Sequence, residues 1–443
     1  MAETRAVELA RRVAEDVARR LEKRFDEYLV KVTRLSELMV KFARGEPTVT
    51  QSWTNTVVEI YVTRDQRIAT AELEYEGGEA IEEKLEKALR ALSPSKLYAP
   101  LPEPTGSAIS ASDPAVVEVV ESGDASEHVE KLDVERRGDF AGKVEYWHRA
   151  VALLGSNGAN LSYEATSFNG YVRVFRERAS GQWSWTSTKT DLLLAKRAFD
   201  KAEELAEECS KLPRERVEPG RYRVLLTPMI VGNLVERVVQ SASAGSIIFG
   251  TSFFVGRKPG DKVFSELFSV YDRPRDTSLP FFSGFDDEGV STADKPIIER
   301  GVLAGFLHNS KTARLMGAAS TGNAGWIMPR AFNVEISAGD SSLEELMESL
   351  RTGLYLTNNW YTRFQNFLEG TFSTVTRDAA FIVEGGRPKA CTERVRIADS
   401  MPSLFSNVEA LSKERWQIQW WEVRHPTRAP YMLFSSVGIT TPE

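Results

Sequence analysis

Residues 221–244 read RYRVLLTPMIVGNLVERVVQSASA. Tyr222 to Leu226 is a short apolar run that predicts a strand. From Pro228 to Ala244, residues Ile230, Leu234, Val235, Val238 and Ala242 recur at helical intervals and predict a helix with one apolar face. Downstream, short strand-like runs punctuated by Gly and Pro continue to the end, with one clear helix at Ser342 to Thr352. Its Ser341-Ser342 start and the acids Glu344 and Glu345 suit a capped, dipole-matched N-terminus. Regular short strands with one or two helices predict a mainly β domain over residues 218–443.

Upstream, Leu212 to Gly220 is charged, carries two prolines and reads as a linker. Ala2 to Ala43 reads as one long helix, with Ala10, Val13, Ala14, Val17, Leu21, Phe25, Tyr28, Val32, Leu35 and Met39 on a stripe, stopped by Gly45-Glu46-Pro47. That stripe suits a coiled-coil partner or the chain's own sheet. Val49 to Tyr75 reads as a hairpin around Arg64-Asp65-Gln66. Ala80 to Leu92 returns to helical spacing, and the five prolines of Ser93 to Pro114 predict a loop. Val116 to Leu154 reads as mostly helical, broken near Gly123 and Gly138. Asn160 to Arg176 and Gly181 to Thr188 read as strands, and Thr190 to Lys211 as a helix. The expected class is α+β: an N-terminal α/β domain (1–217) with long helices and hairpins, and a C-terminal mainly β domain (218–443) with few helices.

The composition excludes several functions. The chain has 443 residues, 42% of them hydrophobic and 27% charged, which supplies a sizeable core. A net charge of −7 without a basic block argues against direct nucleic-acid binding and against anionic membranes. Two cysteines cannot build a disulfide scaffold, and Cys391 reads as a buried thiol. No run approaches the roughly 18 apolar residues of a spanning helix. Met1 to Arg24 lacks a signal peptide's apolar core, so a cytoplasmic location is expected. His128, His148, His308 and His425 are far apart in sequence, which excludes a short two-histidine metal motif. There is no G-x-x-x-x-G-K-[ST] loop, and Gly250-Thr251-Ser252-Phe253-Phe254 lacks the closing glycine of a nucleophile elbow.

Three clusters stand out. Asp286, Asp287 and Glu288 precede Gly289 and suit either a hard cation or a turn whose acids cap backbone N–H groups. Ser320 to Gly325 (STGNAG) suits close backbone approach to a peptide or subunit, or a tight loop. Trp416, Trp420 and Trp421 suit an interface anchor or a core stripe.

The ordered succession GSIIFGTSFF (245–254), LFSVYDRP (267–274), FDDEGVST (285–292), IIERGVL (297–303), NSKTARLMG (309–317), STGNA (320–324), GLYLT (353–357) and FIVEGG (381–386) resembles the TldD/PmbA (TldD/TldE) family, once described as modulators of DNA gyrase. The resemblance implies a metallopeptidase complex. TldD-type subunits carry zinc on a histidine–glutamate–three residues–histidine helix with a later cysteine. TldE-type subunits lack those ligands and pair with a TldD-type subunit around a cavity that takes unfolded peptide.

The metal helix falls on Leu234 to Ser241, where Glu236 and Ser241 occupy the histidine positions and Arg237 the glutamate position. Shifting the register by one residue supplies no histidine either, and no cysteine follows Cys391. The resemblance is therefore to the TldE/PmbA branch. It implies a zinc-free subunit without catalytic residues, metal or cofactor, paired with a TldD-like zinc-bearing subunit. Asn323, Arg330, Asp286 and Asp287 are expected to line the peptide cavity. A homodimeric peptide-binding protein without peptidase activity is the alternative. The tryptophans after residue 300 place the expected dimer interface on the C-terminal domain. With the late cysteine missing, restored histidines would make at best a two-ligand site.

Overall fold

The computed structural model describes residues 4–77, 80–132 and 138–441. Its first half contains α1 (Arg5–Leu21), β1 (Glu27–Ala43), β2 (Glu46–Arg64), β3 (Arg67–Glu74), α2 (Ile81–Ala91), α3 (Pro114–Ser122), α4 (Ser126–Lys131), β4 (Phe140–Gly155), β5 (Asn160–Arg176), β6 (Ala179–Ser187) and α5 (Leu192–Lys211). The second half begins with β7 (Arg214–Glu215), β8 (Gly220–Leu226), α6 (Pro228–Ser241), α7 (Ala244–Ile248), β9 (Val270–Asp272), β10 (Lys295–Glu299), β11 (Val302–Leu303), α8 (Ser310–Met316) and β12 (Val334–Ile336). It ends with α9 (Leu343–Leu350), β13 (Gly353–Asn366), β14 (Thr371–Glu384), β15 (Arg387–Thr392), β16 (Arg396–Ser400), α10 (Met401–Ser406), β17 (Val408–Trp420) and β18 (Val423–Thr440). The class is α+β, as expected.

Two helical expectations fail for the same reason. The helix expected from Ala2 to Ala43 stops at Leu21; Lys23 adopts φ +66°, and Glu27–Ala43 is a strand. Steps of three and four suit a helix, but β1 also carries the β-branched Val30, Val32 and Thr33. It is an inner strand, paired antiparallel with β2 from Glu27 opposite Thr63 and with β4 from Leu29 opposite Gly155. Of the helix expected over Val116–Leu154, only α3 and α4 form, and residues 133–137 lie outside the described residues. Phe140–Gly155 is instead the inner strand β4, held between β1 and β5. Pairing along both edges satisfies the backbone groups over most of these segments, and local periodicity does not register that.

The strands form a six-stranded antiparallel sheet, ordered β3-β2-β1-β4-β5-β6, and a twelve-stranded mixed sheet running β11-β10-β9-β12-β18-β8-β13-β14-β15-β7, with β16 and β17 off that path. One apolar core spans both. Trp183 of β6, fully buried, meets Trp416 of β17 at 5.0 Å and Tyr431 of β18 at 6.2 Å between ring centres. Cys391 is not a thiol: it forms a disulfide with Cys209, pinning α5 to β15 with the Cα atoms 5.3 Å apart. Spacing could not show this, because 182 residues separate the pair. Among the described residues, no helix is long and apolar enough to cross a membrane.

Candidate functional site

Helix α6 is buried almost all round, packed on β18 and β13. Pro228 opens it, where a missing N–H costs nothing. A Cβ on Gly232 would stand 2.8 Å from Ile418 Cδ1, so the glycine lets this side chain of β17 pack directly on the helix backbone, and a larger residue would make Ile418 shift. Beside it, buried Asn233 donates to the Glu422 carbonyl (2.7 Å) and accepts from Asn359 Nδ2 (2.9 Å) and Thr362 Oγ1 (2.6 Å). This network fixes the helix against the β13 and β18 ends, since a buried amide needs all such partners.

The C-terminal end of α6 borders a cleft of about 440 Å³ lined by Gln240, Ser241, Met328, Arg330, Phe367 and His425 among others. Its mouth is apolar: Met328 is 37% exposed and Phe367 49%. Glu236 is buried behind it. One carboxylate oxygen accepts the Arg424 N–H at 2.6 Å; the other takes Gln240 Nε2 at 3.3 Å and lies 3.5 Å from His425 Nδ1. Burial opposes ionisation of Glu236, but His425, the Arg424 N–H and Arg237 outweigh it and hold its pKa below the usual carboxylate value. Arg237 donates to Gln240 Oε1 at 3.2 Å, and burial lowers its pKa. Ser241 is buried; its carbonyl accepts from Ser252 Oγ at 2.7 Å. The sequence carries no signal for His425, a lone histidine that the fold brings against α6.

The three acids of 286–288 diverge. Asp286 accepts the N–H groups of Glu288 (3.0 Å), Val290 (2.9 Å) and Ala324 (2.8 Å); burial, with Glu288 nearby, pushes its pKa up to about 7. Asp287 pairs with Arg330 (3.0 Å) and Lys31 (3.1 Å). Glu288 pairs with Lys311 at 2.6 Å, both 1% exposed, and accepts the Ser310 N–H and hydroxyl. Each acid is thus held by protein donors.

Of the four residues expected to line one peptide cavity, the structure brings two to a common cavity. Asp287 and Arg330 line a polar cavity of about 370 Å³ with Lys31, Glu59, Tyr163 and Trp326, and Arg330 also reaches the cleft beside α6. Asp286 is only 1% exposed, and its oxygens are turned to the backbone. Asn323 is fully buried: it donates to Asp272 (2.7 Å) and the Arg330 carbonyl (2.9 Å), and accepts from Lys295 (3.0 Å) and Thr321 (2.8 Å). It shapes the 320–330 loop rather than facing a cavity. Trp416 and Trp420 are both 5% exposed and belong to the core, whereas Trp360 and Trp421 are 38% and 43% exposed.

Two sheets with a buried helix behind a cleft define a fold found in solved relatives. The chain superposes on the crystal structure of TldE from Thermococcus kodakarensis with a TM-score of 0.80, covering 96% of this chain and 99% of that one at 22% identity. Residues 219–441 match the description "PmbA/TldA metallopeptidase C-terminal domain". The chain belongs to the PmbA/TldD family. A Haemophilus influenzae "Metalloprotease PmbA homolog" is 24% identical over 314 residues, spanning 65% of this chain and 67% of that protein. A Methanocaldococcus jannaschii metalloprotease is 28% identical over 257 residues, spanning 56% of this chain and 54% of that protein.

The family implies zinc, and the groups at α6 do not fit it. They are one imidazole (His425), one committed carboxylate (Glu236), one amide (Gln240) and one hydroxyl (Ser241), with the cations Arg237 and Arg424 beside Glu236. A zinc site draws three or four ligands from His, Cys and carboxylate. Among the described residues no three such groups are disposed to hold a metal.

Proposed function

We propose that this chain is the zinc-free subunit of a TldD/TldE-type peptidase complex, completing a cavity with a zinc-bearing TldD-like subunit and helping to hold unfolded peptide for cleavage. The observation that carries this reading is the end of α6. Glu236, Arg237 and Ser241 stand where the resemblance puts histidine, glutamate and histidine, and Glu236 is tied into a contact with His425 and the Arg424 N–H. The neighbouring cleft supports peptide holding: its apolar mouth suits side chains of an unfolded segment, and Arg330 offers a donor fork for main-chain or terminal oxygens. The names of the relatives describe metalloproteases. This chain would contribute to such an activity through assembly.

The test is metal content and peptide cleavage, measured for the purified chain and for the chain co-expressed with a relative that carries the histidine–glutamate helix. The expected result is no stoichiometric zinc and no cleavage by the chain alone, with zinc-dependent cleavage in the co-purified complex. Stoichiometric zinc with chelator-sensitive cleavage by the chain alone overturns the reading. So does failure of the two chains to associate.

A further inference from the structure

On a separate surface lies a cleft of about 970 Å³, which shares no lining residue with the one beside α6. Arg173, Arg178, Arg214, Arg216, Arg377 and Arg394 line it, against three acids: Glu218, Asp378 and Glu393. The acids do not balance the arginines. The Asp378 side chain is fully buried and already taken by Arg173, Ser180 and Asn358. Glu393 is 3.8 Å from Arg216, in an exposed pair that solvent screens. Arg178 and Arg394 have no acidic partner among the described residues. Arg394 instead lies over the Trp360 ring at 5.9 Å. Burial chiefly, then the neighbouring Arg173 and, more weakly, Arg394, lowers the pKa of Arg377 against the opposing pull of Asp378. All this sits on a chain whose net charge is −7.

The arginines come from four separate regions: β5 with the turn into β6 (Arg173, Arg178), the 214–219 stretch, β14 and the turn after β15. Such a spread faces an extended ligand, because a single small anion would engage only two or three guanidinium forks. One wall includes β7, at the end of the large sheet's main path, which pairs with β15 on one side and, among the described residues, with no strand on the other. A free edge offers main-chain hydrogen bonds to an extended segment, and arginines beside it select the sign of charge on that segment.

We propose that this arginine cleft binds an acidic segment of a polypeptide, laid beside the β7 edge with its carboxylates on Arg178, Arg216 and Arg394. The site is independent of the function proposed above, and its test involves no peptidase.

The experiment is fluorescence anisotropy of a labelled glutamate-rich peptide titrated with the full chain, alongside its glutamine isostere and with inorganic phosphate as competitor. The glutamate peptide should bind about tenfold or more tightly than the isostere, weakening as salt is raised. The variant Arg178→Glu/Arg216→Glu/Arg394→Glu should abolish that preference, and Lys258→Glu, on an exposed loop outside the cleft, should keep it. If thermal melting shows the triple variant to be unfolded, Arg216→Glu alone, at a side chain 82% exposed, should weaken binding about threefold. Equal affinity for the two peptides, or binding unchanged by the cleft variants, overturns the proposal. Full displacement by millimolar phosphate overturns it too, by making the cleft a small-anion site.

Discussion

His425 Nδ1 of β18 lies 3.5 Å from Glu236 Oε1 on α6, so a residue late in the chain faces a helix formed far earlier in it. Because the Glu236 pKa is depressed in the folded chain, its ionisation stabilises the fold above the unfolded carboxylate pKa, and that stability is lost as pH falls through the folded value. Removing His425 leaves a buried carboxylate with fewer partners. His425→Ala should cost about 1–3 kcal/mol near neutral pH and less in acid, measured by urea unfolding across the acidic range. Equal loss at every pH would show that the contact with Glu236 does not carry the effect.

Asp286 has the opposite sign. Its carboxyl is pushed up to about 7 by burial and Glu288, so the folded chain holds a proton that the unfolded chain has released. That contribution is full below the unfolded pKa of about 4 and declines by about 1.4 kcal/mol per pH unit as pH rises toward 7. Asp286→Asn, which cannot titrate, should flatten the pH dependence of stability in this window even if it lowers stability overall. A slope identical to that of the parent chain would contradict the assignment.

Glu288 and Lys311 form an ion pair with both side chains 1% exposed, and Lys311 also lies over the Tyr61 ring at 4.4 Å. Lys311→Met strands a buried carboxylate and should cost about 3–5 kcal/mol. Adding Glu288→Gln, which removes the charge and keeps an acceptor for Ser310, should recover part of that loss. A double-mutant cycle by chemical denaturation reads both effects, and strict additivity would deny the pairing.

The Cys209–Cys391 disulfide closes a loop of well over 100 residues. The native chain should show no alkylatable thiol until reduced and unfolded. Cys391→Ala should lower stability by about 2–4 kcal/mol, and reductant should lower the parent's Tm without changing that of the variant.

Restoring the histidine–glutamate helix with Glu236→His/Arg237→Glu/Ser241→His should not create a peptidase. The expectation that only two ligands could assemble is corrected by His425, which already faces this helix. Zinc binding should therefore appear, weak, and fall about tenfold or more on adding His425→Ala. Losing the carboxylate that holds the Arg424 N–H should cost about 1–3 kcal/mol. Peptide turnover by this variant alone would show that the rest of the catalytic apparatus is intact in this chain.

The sequence by itself determined the β-rich second half, helix α6 and the family. Short strand-like runs between Gly and Pro, and apolar spacing at Ile230, Leu234 and Val238, are local signals that tertiary context did not overturn. It also determined which residue types stand on α6, and hence the donors available there. Only the tertiary structure decided that Glu27–Ala43 and Phe140–Gly155 are strands, because pairing on both edges outweighs a spacing that equally fits a helix. It alone decided the company of each polar residue. Asp286, Asp287 and Glu288 are consecutive, yet one binds backbone, one Arg330 and Lys31, one Lys311. Cys209 met Cys391, and His425 met Glu236, across separations on which local sequence has no bearing. Side-chain chemistry is written residue by residue, whereas proximity in a two-sheet fold is set by long-range pairing and by the core that the sheets share.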